Sequence, residues 1–147
     1  RLDDVIEFSA DLLAGVCLAP LMRGSTLSDD DTASIQKLKT TFGDRLYLVA
    51  ELHHGPNDRT LLHQMQRLAE SFNVPLIAAN DVHYHVPARQ RLQDVLTATR
   101  YGCTLAELGE QRFPNAERHL KSAAQMLELF RDLPQAVTRT MEVAARC

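Results

Sequence analysis

The chain has no tryptophan and only three cysteines in 147 residues. Cys17, Cys103 and Cys147 are scattered, odd in number and never in a CxxC spacing. That argues against a disulfide framework or a thiolate zinc site and for reduced thiols in a cytoplasmic protein. Long hydrophobic runs are missing too: no stretch approaches the length of a membrane span. There is no excess of positive charge. Sixteen Lys and Arg against nineteen Asp and Glu give a formal charge of −3. This speaks against a strongly basic nucleic-acid surface while leaving room for a local patch. The phosphate-cradling patterns G-x-x-x-x-G-K-[ST] and G-x-G-x-x-G are absent, as is the G-x-S-x-G nucleophile elbow. No internal repeat or low-complexity tract occurs. What remains is a chain that is 45% hydrophobic and 24% charged, ordinary for a globular protein and long enough for one core.

The order of apolar patterns predicts alternation of helix and strand. Leu2, Val5, Ile6, Leu12 and Leu13 share a helical face, predicting a helix over 2–12. "LLAGVCLAP" is a short apolar run closed by Pro20, predicting a strand over 13–19 with Cys17 as a small buried hydrophobe. Ser28 and Asp29 are N-cap candidates for the helix "DTASIQKLKTTFG", whose stop signal is Gly43. "RLYLVAEL" predicts a strand over 45–51. Asn57 or Asp58 caps an amphipathic helix carrying Leu61, Leu62, Met65, Leu68, Ala69 and Phe72, which "NVP" breaks. A third strand follows over 76–80. Beyond it the pattern is helical, over 88–99, 104–109, 122–131 and 134–146, with Pro134 opening the last helix and "EQRFPNAERHL" as an irregular link. Alternation α-β-α-β-α-β implies parallel strands with helices outside, in a doubly wound sheet or part of a β/α barrel. Both ends run directly into helical patterns, which leads us to expect a piece of a longer protein.

Parallel α/β folds place ligands beyond the carboxyl ends of their strands. Asp81 and His83 fall there. Two residues apart in extended chain, they would point the same way and could offer a carboxylate and an imidazole to zinc, manganese or iron. An Asn-Asp turn after a strand is the plain structural alternative. Glu51 ends the second strand and could face the same mouth with one of the neighbouring His53 and His54, or belong to a solvated loop. His85 could support a ligand from behind by a hydrogen bond or be merely exposed. His63 reads as surface, and His119 as an anchor of its loop through hydrogen bonds. Arg89, Arg91, Arg100, Arg112, Arg118 and Lys121 form a modest basic cluster, either a solvated helical surface or a phosphate contact.

Three stretches carry a resemblance: "LYLVAELHHGPNDR", "VPLIAANDVHYHVPARQRLQDVLTATRYGCTL" and "NAERHLKSAAQMLELFRDLPQAVTRTMEVAARC". In this order they resemble bacterial C-family DNA polymerases, most of all the error-prone branch of the polymerase III alpha-subunit family. The resemblance spans roughly 45–147. It implies the C-terminal part of a PHP (polymerase and histidinol phosphatase) domain: a partial, distorted β/α barrel over 1–87, then a helical segment over 88–147 leading toward the palm and thumb. The family's D-x-H metal motif maps onto Asp81 and His83. Glu51, His53 and His54 match no ligand position of the family, so Glu51, His53 and His85 are candidates only for supporting those ligands from behind. The family's H-x-H segment and its palm aspartates have no counterpart here. The implied role is error-prone DNA synthesis in replication or damage tolerance, with DNA and the other polymerase domains as partners and no membrane. This segment would supply part of a zinc- or manganese-dependent phosphoesterase site, or a scaffold; a stand-alone PHP-type phosphoesterase is the alternative. The fragment alone is expected to be inactive. It should either self-associate or lay its C-terminal helices over the sheet, because half a barrel leaves edges open.

Overall fold

A computed structural model describes residues 2–18, 21 and 25–147. The predicted strand closure at Pro20 lies outside the described residues. Three strands, β1 (Ala14–Cys17), β2 (Leu46–Glu51) and β3 (Leu76–Ala79), form a parallel sheet in the order β1-β2-β3. Leu48 stands opposite Val16 on one side and Leu76 on the other. Each crossover carries a helix, as parallel pairing requires. These are α2 (Asp29–Phe42) between β1 and β2, and α3 (Asp58–Phe72) between β2 and β3. The expected α/β architecture with parallel strands is present. Among the described residues the sheet is open, not closed into a barrel.

The first helix, α1 (Leu2–Glu7), is shorter than its apolar spacing predicted. Asp11 takes a positive φ of 59° inside the predicted span, and Leu12 is exposed. Helix α2 begins as expected at Ser28, whose hydroxyl accepts from the Asp31 amide (3.1 Å) while the Asp31 carboxylate accepts from the Ser28 amide (2.9 Å). This reciprocal cap satisfies two amides that no helical carbonyl can reach. Gly43 stops the helix at φ 58°, a conformation an L side chain resists. Helix α3 ends at Asn73 in the left-handed region.

The core lies on one face of the sheet. Leu46, Leu48 and Ala50 alternate along β2, with Leu76 and Ala78 beside them on β3. Ile35 and Phe42 of α2 and Leu62 and Met65 of α3 close over them. Phe130 and Ala136, both fully buried, join the same cluster from the C-terminal segment. They belong to the end of α5 (Ala123–Leu129, capped by Ser122) and to α6 (Pro134–Arg146). The expectation that C-terminal helices cover the sheet is met: α6 runs along β3, and the Arg139 guanidinium donates to the Leu76 carbonyl. That carbonyl points away from β2, so the arginine satisfies an acceptor on an otherwise open edge. On the opposite face Tyr47 is buried, donating to Glu142 Oε1 and accepting from Arg146, both at 2.8 Å. Burial pushes its hydroxyl pKa up.

Two further expectations fail for physical reasons. Residues 104–109 form no α-helix; Gly109 only opens a short 3-10 turn, Gly109–Gln111. The Thr104 amide and hydroxyl both donate to the Glu107 carboxylate (2.8 Å each), so a helix-start signature closes on itself, and Gly109 at φ 50° follows. Cys17 is exposed, not buried. It alternates with the half-buried Val16 on strand β1, which lies at one end of the strand order.

Candidate functional site at the strand ends

The carboxyl ends of β2 and β3 open onto a polar cluster. Glu51 ends β2, and its Oε1 lies 3.9 Å from Cys17 Sγ. His53 follows. Its backbone amide donates to Asp58 Oδ2 (3.0 Å), and its Nε2 donates to the Asn80 carbonyl just past β3 (3.3 Å). Asp58 is thus spent on turning the loop, and neither it nor Asn57 gives the expected side-chain cap to α3. Burial, and next the nearby Arg118 charge, push the His53 imidazole pKa down to about 4, so it is neutral near pH 7. Asp81 and His83 do converge: Asp81 Oδ1 is 3.4 Å from His83 Nε2. The cause differs from strand alternation. β3 ends at Ala79, and Asp81 sits at φ 40°, a turn conformation that Asp tolerates.

The opposite wall is the link between Phe113 and Lys121, bound to the strand-end loop by backbone and side chains together. The Arg118 carbonyl accepts from the amides of His83 (2.9 Å) and Tyr84 (3.3 Å), and Leu120 donates to the Tyr84 carbonyl (3.0 Å). Asn80 Nδ2 donates to the His119 carbonyl (2.6 Å), and Lys121 Nζ donates to Asn80 Oδ1 (3.1 Å). Asn115 Nδ2 donates to the His53 carbonyl (2.6 Å). His119 anchors its loop as expected, with Nδ1 on the Ala116 carbonyl (3.0 Å). The Phe113 ring meets His83 edge-on (4.7 Å between centroids) and lies under the Arg118 guanidinium (4.3 Å). Arg118 Nη1 is in direct contact with Asp81 Oδ2. Its pKa is lowered by burial, while the negative charge of Glu51 pulls the other way.

The basic cluster therefore splits. Arg89, Arg91 and Arg100 are exposed. Arg112 binds Asp94 (2.9 Å), Arg118 binds Asp81, and Lys121, whose side chain is 3% exposed, binds Glu117 (3.4 Å). His54 lies 3.8 Å from Glu117. His85 and His63 are exposed. Sequence reasoning missed the structural work of Asn80, Phe113 and Asn115. The signal for it was the run of polar side chains in "FPNAERHLK", which no helical or strand period explains.

The donor set decides whether a divalent ion fits. A metal site needs three or more protein ligands as a rule. Among the described residues, no group of three His, Cys, Asp or Glu gathers. Asp81 and His83 make two, and one Asp81 oxygen is engaged by a guanidinium. The residues described do not by themselves fit the metal that the resemblance implies.

No protein-family model matches the chain. Curated relatives match it almost end to end. It is 38% identical over 146 residues to error-prone DNA polymerase 1 of Agrobacterium fabrum and 40% identical over 147 residues to error-prone DNA polymerase 2 of Rhizobium meliloti. To an error-prone DNA polymerase of Rhodopirellula baltica it is 33% identical over 150 residues. In each case 99% of this chain is covered, and the chain spans 13% of the relative's length. The chain is homologous to one segment of error-prone DNA polymerases.

Proposed function

We propose that this chain serves error-prone DNA-directed DNA synthesis as a structural module of a larger nucleotidyltransferase. It would be a PHP-type scaffold that holds its sheet and the following helices in one fixed arrangement. The observation that carries this reading is the bonded link from Phe113 to Lys121. It spends Asn80, Asp81, Arg118 and Lys121 on one another at the place where such folds keep their chemistry. A second reading has one specific support, the 3.4 Å approach of Asp81 to His83. There the pair would lend two ligands to a zinc or manganese phosphoesterase site completed by residues from elsewhere in the polymerase.

A chimaera tests both. The homologous segment of Agrobacterium fabrum error-prone DNA polymerase 1 is replaced by this chain, and primer extension is measured per folded molecule. The scaffold reading expects extension to be retained, and Asp81→Ala to lower the melting temperature without lowering extension. A folded chimaera that cannot extend a primer would refute the polymerase assignment. Metal-dependent release of a mispaired terminal nucleotide that disappears with Asp81→Ala would favour the second reading.

A further inference from the structure

We propose that the Arg118 guanidinium is the resident counter-cation of the Asp81 carboxylate, and that it closes the Asp81–His83 pair to divalent ions until it is moved. The proposal rests on the scaffold reading and adds what holds the mouth shut. Of the two Asp81 oxygens, Oδ2 is taken by Arg118 Nη1, and Oδ1 faces His83 Nε2 at 3.4 Å. Glu51, the next carboxylate of the mouth, acts on the same guanidinium through its charge. A divalent ion approaching Asp81 would therefore meet a like charge already in contact with the carboxylate it needs.

Both the guanidinium and the backbone of Arg118 are held in place. The guanidinium face lies 4.3 Å from the Phe113 ring centre, a favourable position for a cation. Its own carbonyl accepts from the His83 and Tyr84 amides, so its backbone cannot leave the loop that carries Asp81. Its side chain is 18% exposed against 41% for Asp81, which makes the cation the more sheltered partner. An arginine so placed balances charge with fixed planar donors and stays protonated at any working pH, unlike a bound ion that can dissociate.

Manganese binding by the 147-residue chain, followed through thermal shift and the paramagnetic broadening of the His83 ring signals, tests this. We expect millimolar Mn²⁺ to leave the His83 signals and melting temperature of the unmodified chain unchanged. Two protein ligands hold an ion only weakly, but Arg118→Gln should melt lower without metal and bind Mn²⁺ at least about tenfold more tightly than the unmodified chain, since a like charge has gone. Adding Asp81→Asn should abolish that gain. If Arg118→Gln does not fold, Arg118→Lys keeps the charge and should remain as blind to Mn²⁺ as the unmodified chain. Mn²⁺ binding by the unmodified chain as tight as by Arg118→Gln, a gain that survives Asp81→Asn, or broadening of His83 without any substitution would each overturn the proposal. None of these readouts depends on primer extension, so a failure here is distinct from a failure of the polymerase assignment.

Discussion

Helices α3 and α4 (Gln90–Tyr101) are both amphipathic and of similar length, yet they bury opposite kinds of surface. Helix α3 turns Leu62 and Met65 into the core, with Leu61, Leu68, Ala69 and Phe72 partly buried around them. Helix α4 buries Asp94 and Ala98, while Leu92, Val95 and Leu96 are 49%, 46% and 56% exposed. Gln90, Asp94 and Ala98 recur every four residues and form its inward stripe. Gln90 Nε2 donates to the Phe113 and Asn115 carbonyls (3.1 and 3.0 Å), and Asp94 takes the Arg112 guanidinium at 2.9 Å. Helical period fixes which residues share a face; the neighbour decides which face turns inward. The neighbour of α3 is an apolar sheet. That of α4 is an irregular link whose carbonyls need donors, so the helix offers its polar side.

The largest effect should come from the apolar helix. Met65 is fully buried and central to the cluster. Met65→Ala removes packed atoms from a core that cannot fully collapse, and should cost about 2–5 kcal/mol in urea unfolding. A cost below about 1 kcal/mol would mean that α3 packs loosely and that the contrast with α4 is false.

The polar helix should respond to its ion pair. The Asp94 side chain is only 6% exposed, while Arg112 is 55% exposed. Arg112→Ala strands a sheltered carboxylate, but water can reach part of the pair. The expected loss is about 1–2 kcal/mol, less than for an enclosed ion pair. Double substitution with Asp94→Asn should recover part of that loss, because the stranded charge disappears. Failure to recover would show that Arg112 acts through packing of its stem.

How far the sequence reached follows the same division. Strands β2 and β3 were legible nearly to the residue because an apolar run between turn signals has few alternatives: 45–51 was predicted against Leu46–Glu51, and 76–80 against Leu76–Ala79. Helices with strong end signals were legible too, α2 from Ser28 to Gly43 and α6 from Pro134 onward. Short segments were not. Residues 104–109 satisfy a capping pattern without enough helix behind it to cover the cost of nucleation, and α1 stops at Glu7. At the site, the nearness of Asp81 and His83 was legible from their strand-end position. Arg118 was visible only as one member of a basic cluster. Its partner lies 37 residues away, and no local period encodes such a contact.

The smallest effect sharpens the comparison most. Leu96 has the side-chain type that α3 buries at Leu62, but it is 56% exposed where Leu62 is 4%. Truncation of an exposed leucine leaves no cavity, and alanine is the better helix former. Leu96→Ala should therefore change stability by less than about 0.5 kcal/mol, whereas Leu62→Ala belongs with Met65→Ala at about 2–5 kcal/mol. Urea unfolding of the two leucine variants side by side checks this directly. A loss of about 2 kcal/mol or more at Leu96 would place its side chain in an apolar environment and reverse the orientation assigned to α4.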